Sequence, residues 1–160
     1  MTEIIIIRHG ETEWNKTGRF QGHSDVPLSE EGRAQAETLG RNLVLDHADA
    51  IYASDLTRAI ETATPLAKRF GLTVMPDPLL RELNFGAWEG RNFQDVNAES
   101  PDAMKRFYSD PERVDIPNSE PFPDFQKRVA GRVREIVLEQ RGKRIIIVSH
   151  GASIRILLAD

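Results

Sequence analysis

Two histidines stand in matching surroundings. Ile4-Ile5-Ile6-Ile7 runs into Arg8-His9-Gly10, and Ile145-Ile146-Ile147-Val148 runs into Ser149-His150-Gly151. Each imidazole follows a short β-branched apolar run and precedes a glycine, which places it at the end of a buried strand with permissive backbone beyond. A neutral imidazole is nucleophilic near pH 7, and a guanidinium such as Arg8 can hold an anion in front of it. One such triplet reads as an ordinary structural histidine. Two at neighbouring strand ends would converge within a few ångströms, an arrangement chance seldom produces.

The anion best suited to this edge is a phosphoryl group. Arg58 falls in the first turn of the helix that follows an expected strand at 50–53, where its fork and the helix N-terminus would both face phosphoryl oxygens. An exposed helix charge is the plainer reading of the same residue. No Walker loop or dinucleotide glycine fingerprint occurs, so the binding is not of either of those types. Metal ranks well below phosphate: no histidine pair lies one helical turn apart, and scattered carboxylates such as Asp25, Asp55 or Glu82 would have to complete the ligand set. Glu82 lies at the start of Glu82-Leu83-Asn84-Phe85-Gly86-Ala87-Trp88-Glu89-Gly90, a stretch whose glycines and aromatics suggest a shaped loop. It either pairs with Arg81 at the surface or, partly withdrawn from water, gives a proton to a leaving oxygen. His23, in a polar loop, reads as a surface residue or a substrate contact, and His47, between Asp46 and Asp49, as a solvated or helix-end charge.

These residues need a scaffold that brings strand ends together. Runs at 4–7 and 145–148, with weaker ones at 50–53 and 72–75, alternate with helical periodicities at 29–45, 55–70 and 124–140 and an apolar segment after Gly151. Ser29 and Asp55 are the expected N-caps, Gly71 closes the second helix, and Pro65 should bend or break it. Strand–helix alternation implies an α/β fold with helices on both faces of a mostly parallel sheet, whose ligands sit beyond the strands' carboxyl ends. No linker divides residues 1–160, so one domain is expected. The stretch 79–123, rich in Pro, Asp and Asn, reads as an excursion over the site.

Composition narrows the classes further. The chain has 160 residues, 21 Lys and Arg against 25 Asp and Glu, a formal charge of −4 and no cysteine. Thiolate catalysis, disulfide scaffolds and cysteine-ligated metals are therefore excluded. The acidic balance argues against sequence-independent binding of long nucleic acids, and no apolar run approaches the roughly 18 residues of a membrane helix. The start, Met1-Thr2-Glu3, lacks a basic signal-peptide region, and with the missing cysteines this favours the cytoplasm.

Longer motifs sharpen the reading. Arg8-His9-Gly10-Glu11-Thr12-Glu13-Trp14-Asn15, Phe20-Gln21-Gly22, Leu28-Ser29-Glu30-Glu31-Gly32, Ser54-Asp55-Leu56-Thr57-Arg58-Ala59-Ile60-Glu61-Thr62, Leu80-Arg81-Glu82-Leu83, Trp88-Glu89-Gly90 and Val148-Ser149-His150-Gly151 follow one another in the order of the histidine phosphatase superfamily, also called phosphoglycerate mutase-like, which the chain resembles. That resemblance implies a three-layer α/β/α sandwich and a covalent phosphohistidine. It implies His9 as nucleophile, Glu82 as proton donor, Arg8, Arg58 and His150 as the phosphate pocket, and Asn15, Gln21, Gly22 and Gly151 as further contacts. No cofactor is called for, and the expected partner is a small phosphate ester.

Within the family, mutases resemble a Glu-Arg-His-Tyr-Gly pattern where this chain has Glu82-Leu83-Asn84-Phe85-Gly86. The Trp88-Glu89-Gly90 loop is similar to the phosphatase branch, which includes α-ribazole phosphatase and broad-specificity phosphatases. A mutase, a protein phosphohistidine phosphatase, and a non-catalytic phosphate-binding module are the alternatives. Two departures stand out. Ser119-Glu120-Pro121 replaces the family's Gly-Glu-Ser before the long helix, and the sequence stops at Asp160, inside a helix that relatives continue. A longer chain or a partner, such as the second copy of a homodimer, would then cover Ile154, Ile156, Leu157 and Leu158.

Overall fold

A computed structural model describes residues 1–159. In chain order the elements are β1 (Glu3–Arg8), α1 (Glu13–Lys16), α2 (Glu30–Asn42), β2 (Ala50–Ser54), α3 (Thr57–Phe70), β3 (Val74–Asp77), α4 (Phe93–Glu99), α5 (Pro101–Ser109), α6 (Phe122–Glu139), β4 (Arg144–Ser149) and α7 (Gly151–Ala159). The strands form one sheet in the order β1-β4-β2-β3, every pairing parallel. β1 and β4 pair in register from Glu3 opposite Arg144 to Arg8 opposite Ser149. The two histidines that follow therefore leave the sheet side by side.

Both sheet faces are covered, which is why β2 and β4 read as continuous apolar runs. On one face Ile51, Ala53, Ile146 and Val148 pack against Ala59, Ala63 and Leu66 of α3, with Leu39 of α2 at the margin. On the other, Tyr52, Ile145 and Ile147 meet Val133 and Ile136 of α6. The result is the expected helix–sheet–helix sandwich. Among the described residues no helix is long and apolar enough to cross a membrane.

Local expectations fared unevenly. Ser29 does cap α2, accepting from Gly32 N at 3.0 Å, and Gly71 ends α3 in the left-handed region at φ 65°. Asp55 does not cap α3. Its carboxylate is taken by the Arg81 fork, at 2.6 Å on each oxygen, and Asp25 caps the helix from a distant loop by accepting from Thr57 N (2.7 Å) and Thr57 Oγ1 (2.8 Å). α3 runs unbroken through Pro65, where the facing residue on α2 is Gly40; a Cβ there would lie 2.6 Å from Pro65 Cβ. β3 starts two residues later than the pattern at 72–75 suggests and takes in Pro76, which an edge strand accommodates because one side of its ladder is unpaired.

The stretch 79–123 folds as α4, α5 and short 3-10 turns around Phe20, Phe85, Trp88, Val96, Met104, Ile116 and Phe125, an aromatic-rich cluster separate from the sheet cores. α6 begins at Phe122 with Pro121 at its cap position and no side-chain cap, in keeping with the loss of the family's serine there.

Candidate active site

The parallel register of β1 and β4 brings the rings of His9 and His150 to a centroid separation of 5.1 Å, at the carboxyl edge of the sheet. His9 N donates to Ser149 O at 3.0 Å, extending the ladder by one bond past the strands. The His9 ring is positioned by its own chain: Nδ1 lies 2.7 Å from Gly10 O, a contact in which the ring nitrogen donates, leaving Nε2 with a free lone pair. Burial, then the charges of Arg58 and Arg8, hold its pKa down to about 3, so the imidazole is neutral at any physiological pH.

His150 is completely buried and differs in one respect: neither ring nitrogen has a hydrogen-bond partner among the described residues. Burial first, then Arg58 and His9, push its pKa well below the ordinary histidine value. Arg58 is 1% exposed, and its terminal nitrogens donate to Ser24 O (2.9 Å) and Gly22 O (2.8 Å), while its Nε has no partner among the described residues. Burial lowers its pKa to about 10, and the guanidinium stays charged. A buried polar atom without a partner costs about 1–3 kcal/mol. Three of them in two residues lining one cleft mark a place built for something else to bind.

That cleft has a volume of about 260 Å³. Arg8, His9, Asn15, Gln21, Gly22, Arg58, Glu82, His150 and Gly151 all line it, so the nine residues that the family resemblance implied for the site lie at one place, whereas Asp25, Asp55, His23 and His47 do not line it. Arg8 is exposed at the rim, and its guanidinium lies 3.7 Å from where a Cβ on Gly151 would stand. Asn15 and Gln21 turn their carbonyl oxygens to the Thr12 hydroxyl, at 3.1 and 2.8 Å, and their NH2 ends have no partner among the described residues. Gly22 has φ 55°, and a side chain there would strike the Glu89 carboxylate.

Glu82 is not paired with Arg81, which is committed to Asp55. Glu82 as a whole is 9% exposed, and its carboxylate accepts from Leu83 N (3.0 Å) and from Ala152 N (2.9 Å) in the first turn of α7. Burial raises its pKa, outweighing those amides and Arg58, all of which favour the ionised form. His23 is neither a free surface group nor among the cleft-lining residues. It is half-buried with Nε2 2.9 Å from Glu82 O, steadying the acid's backbone. His47 is exposed beside Asp46, as its neighbours implied.

Several residues were invisible from spacing. Arg128 on α6 donates to Leu79 O, Arg81 O and Glu82 O while its fork grips Glu120 at 2.8 Å on each oxygen, fastening the Glu82 segment to α6. Glu89 accepts from His23 N and Ser24 N, both at 2.8 Å, and so holds the loop whose carbonyls Arg58 also grips. Arg19, Arg155, Phe93, Phe107 and Tyr108 complete the cleft wall. The Trp88-Glu89-Gly90 motif drew attention to Glu89 without indicating its partners; nothing local signalled Arg128. Among the described residues no group of three or more His, Cys, Asp or Glu could hold a metal ion.

Paired strand-end imidazoles in a cationic cleft, beside a buried carboxyl on a parallel α/β sheet, are the arrangement of phosphoryl-transfer proteins that use histidine. The chain belongs to the histidine phosphatase superfamily (branch 1), whose model matches residues 4–160. It is similar to phosphoserine phosphatase 1 of Hydrogenobacter thermophilus, 33% identical over 155 residues that cover 97% of this chain and 74% of that protein. It is also similar to phosphoglycerate mutase-like protein 4 of Arabidopsis thaliana, 39% identical over 158 residues, covering 97% of this chain and 69% of that one. Among solved structures, the α-ribazole phosphatase from Shigella flexneri superimposes with a TM-score of 0.86 at 33% identity, covering 98% of this chain and 77% of the other. The protein is thus a histidine phosphatase superfamily enzyme.

Proposed function

We propose that the protein hydrolyses a small phosphate monoester through a phosphohistidine on His9. The observation that carries this is the pairing of an oriented, neutral His9 with the partnerless buried polar atoms of Arg58 and His150 in the same cleft. His9 Nε2 attacks phosphorus in line, the ester P–O bond breaks, and protonated Glu82 gives its proton to the departing alkoxide. Glu82, now a carboxylate, takes a proton from water; the hydroxide attacks phosphorus, the N–P bond breaks, and neutral His9, inorganic phosphate and protonated Glu82 are restored in balance. Arg8, Arg58 and His150 meet the equatorial oxygens, with Asn15, Gln21, Gly22 and Gly151 contributing further contacts. The bound phosphoryl dianion opposes the effect of Arg58 on His150 and favours a proton on that ring.

Hydrolysis is favoured over mutase action because Leu83-Asn84-Phe85 offers no cation where mutases of this family carry Arg-His. The wall formed by Phe93, Phe107 and Tyr108, with Arg19 and Arg155, suits a small alcohol with a flat or acidic portion; α-ribazole phosphate and phosphoserine are the first candidates. In this reading the chain works as one catalytic domain.

The test combines trapping with turnover. Phosphate release from p-nitrophenyl phosphate should persist with chelator present, and denatured wild-type enzyme should carry an acid-labile label that His9→Ala lacks. Label persisting in His9→Ala sinks the assignment. Rapid interconversion of phosphoglycerates with negligible phosphate release would transfer the protein to the mutases.

A further inference from the structure

We infer that Thr62 is a positioning residue for the nucleophile, acting through the backbone of Gly10; the inference rests on the role proposed for His9. Thr62 lies one turn beyond Arg58 on α3, on the same helix face, and is 2% exposed. Its hydroxyl gives its proton to Arg58 O at 2.7 Å and accepts from Gly10 N at 3.0 Å. The second bond is long in sequence, 52 residues, and ties the end of β1 to the helix that carries the buried guanidinium.

Its geometry reaches the imidazole. Gly10 N belongs to the peptide plane between residues 9 and 10, so the Thr62 bond sets the ψ of His9 and the φ of Gly10. The next plane carries the Gly10 carbonyl that accepts from His9 Nδ1, and its far edge, Glu11 N, donates to Gln35 Oε1 at 3.0 Å. Both planes on which the ring orientation depends are thereby pinned, one by a buried hydroxyl and one by an exposed amide. Without the hydroxyl the first plane can turn, the Gly10 carbonyl leaves Nδ1, and the Nε2 lone pair is no longer held in line with phosphorus. The same hydroxyl makes the spacing between the nucleophile and Arg58 a property of one side chain.

Thr62→Val keeps the shape and deletes the hydroxyl; Thr62→Ser keeps the hydroxyl and deletes a methyl. The readouts are the single-turnover rate of phosphoenzyme formation from p-nitrophenyl phosphate, the competitive inhibition constant of inorganic phosphate, and Tm. A displacement of the attacking atom costs a rate factor of up to about a hundredfold. Thr62→Val should therefore label about tenfold to a hundredfold more slowly, with phosphate inhibition unchanged because Arg58 remains in place, and Thr62→Ser should label near the wild-type rate. If Thr62→Val does not fold, Thr62→Ala carries the same expectation. Labelling at the wild-type rate without the hydroxyl overturns the role, as does an equal loss in Thr62→Ser. A loss of phosphate affinity matching the loss of rate does so too, since Thr62 would then serve Arg58. Absence of any label in wild-type enzyme fails the phosphohistidine reading itself, a separate outcome.

Discussion

The tips of β1 and β4 carry the same pattern, an apolar strand followed by histidine and glycine, yet the structure treats them in opposite ways. His9 is anchored through Nδ1 to Gly10 O, whereas His150, more deeply buried, has both nitrogens without partners. Gly10 is pressed against Gly32, while Gly151 opens α7 with space beside it. Anchoring one nitrogen dedicates the other to a single direction, as a nucleophile requires. A ring with both nitrogens uncommitted can meet a ligand as donor or acceptor, as a binding group requires. In the proposed mechanism, equal motifs thus take unequal roles from what lies around them.

The sharpest break between the two tips is chemical. His9→Ala should lower kcat by at least about 10⁴-fold and abolish the acid-labile label, the scale expected when a covalent nucleophile is removed. His150→Ala should lower kcat by about 10²–10³, as loss of a donor to transition-state charge does, and should still label, slowly. Quench-and-label measurements on both variants decide the matter. Label in His9→Ala and none in His150→Ala would exchange the roles.

Glu82 adds a pH axis to the contrast, because its carboxylate docks on Ala152 N just after the second tip. With p-nitrophenyl phosphate, whose leaving group needs no proton, Glu82→Gln should leave phosphoenzyme formation nearly intact. With alkyl phosphates it should cost about 10²–10⁴. Wild-type kcat/KM on alkyl phosphates should fall as pH rises through the elevated Glu82 pKa, and Glu82→Gln should lose that limb.

Stability follows with a definite sign. The Glu82 pKa is raised from 4.5 by burial, so its contribution to stability is complete below 4.5 and is lost as pH rises through the folded value. Glu82→Gln should therefore melt above wild type at pH 7 to 8 and converge with it near pH 4. The His9 pKa is lowered from 6.5 to about 3, so its contribution is complete above 6.5 and is lost as pH falls through that interval. Melting curves across pH 4 to 8 separate the two trends by their slopes.

What the chain announced and what it concealed divide along the same physical line. β1 and β4 were legible because buried strands are continuous apolar runs, and the convergence of His9 and His150 followed once the two were taken as neighbours; Arg58 and Glu82 were joined to them only through the resemblance to the family's motifs. The cap of α3 was not: Asp55 is next to the helix, but Arg81, 26 residues away, offers a bidentate partner, and Asp25 takes over the capping. α4 and α5 were hidden because they are short, seven and nine residues, and lie in a stretch rich in Pro, Asp and Asn, even though α5 turns Met104 and Phe107 to the aromatic cluster. Arg128 and Thr62 were hidden for a related reason. Each bonds backbone groups remote in sequence, Arg128 three carbonyls and Thr62 the Gly10 N–H, and backbone groups leave no trace in residue type.

The two glycines make the finest test of the comparison. A Cβ on Gly10 would stand 2.8 Å from Gly32 O, with two more backbone atoms of that residue at 3.3 Å, and neither strand end nor helix can retreat cheaply. Gly10→Ala should therefore cost about 1–3 kcal/mol, the scale of overpacking, and slow labelling because the carbonyl that orients His9 is displaced. A Cβ on Gly151 would meet only the Arg8 guanidinium at 3.7 Å, an ordinary contact with the movable end of a side chain. Removing glycine from the start of α7 also narrows the unfolded ensemble, so Gly151→Ala should change stability by under about 1 kcal/mol, toward higher Tm. Its kinetic signature should be a modest rise in KM as Arg8 gives way, with kcat retained. Equal destabilisation by the two alanines would show that the tips are packed alike, and the asymmetry assigned to their histidines would then need another source.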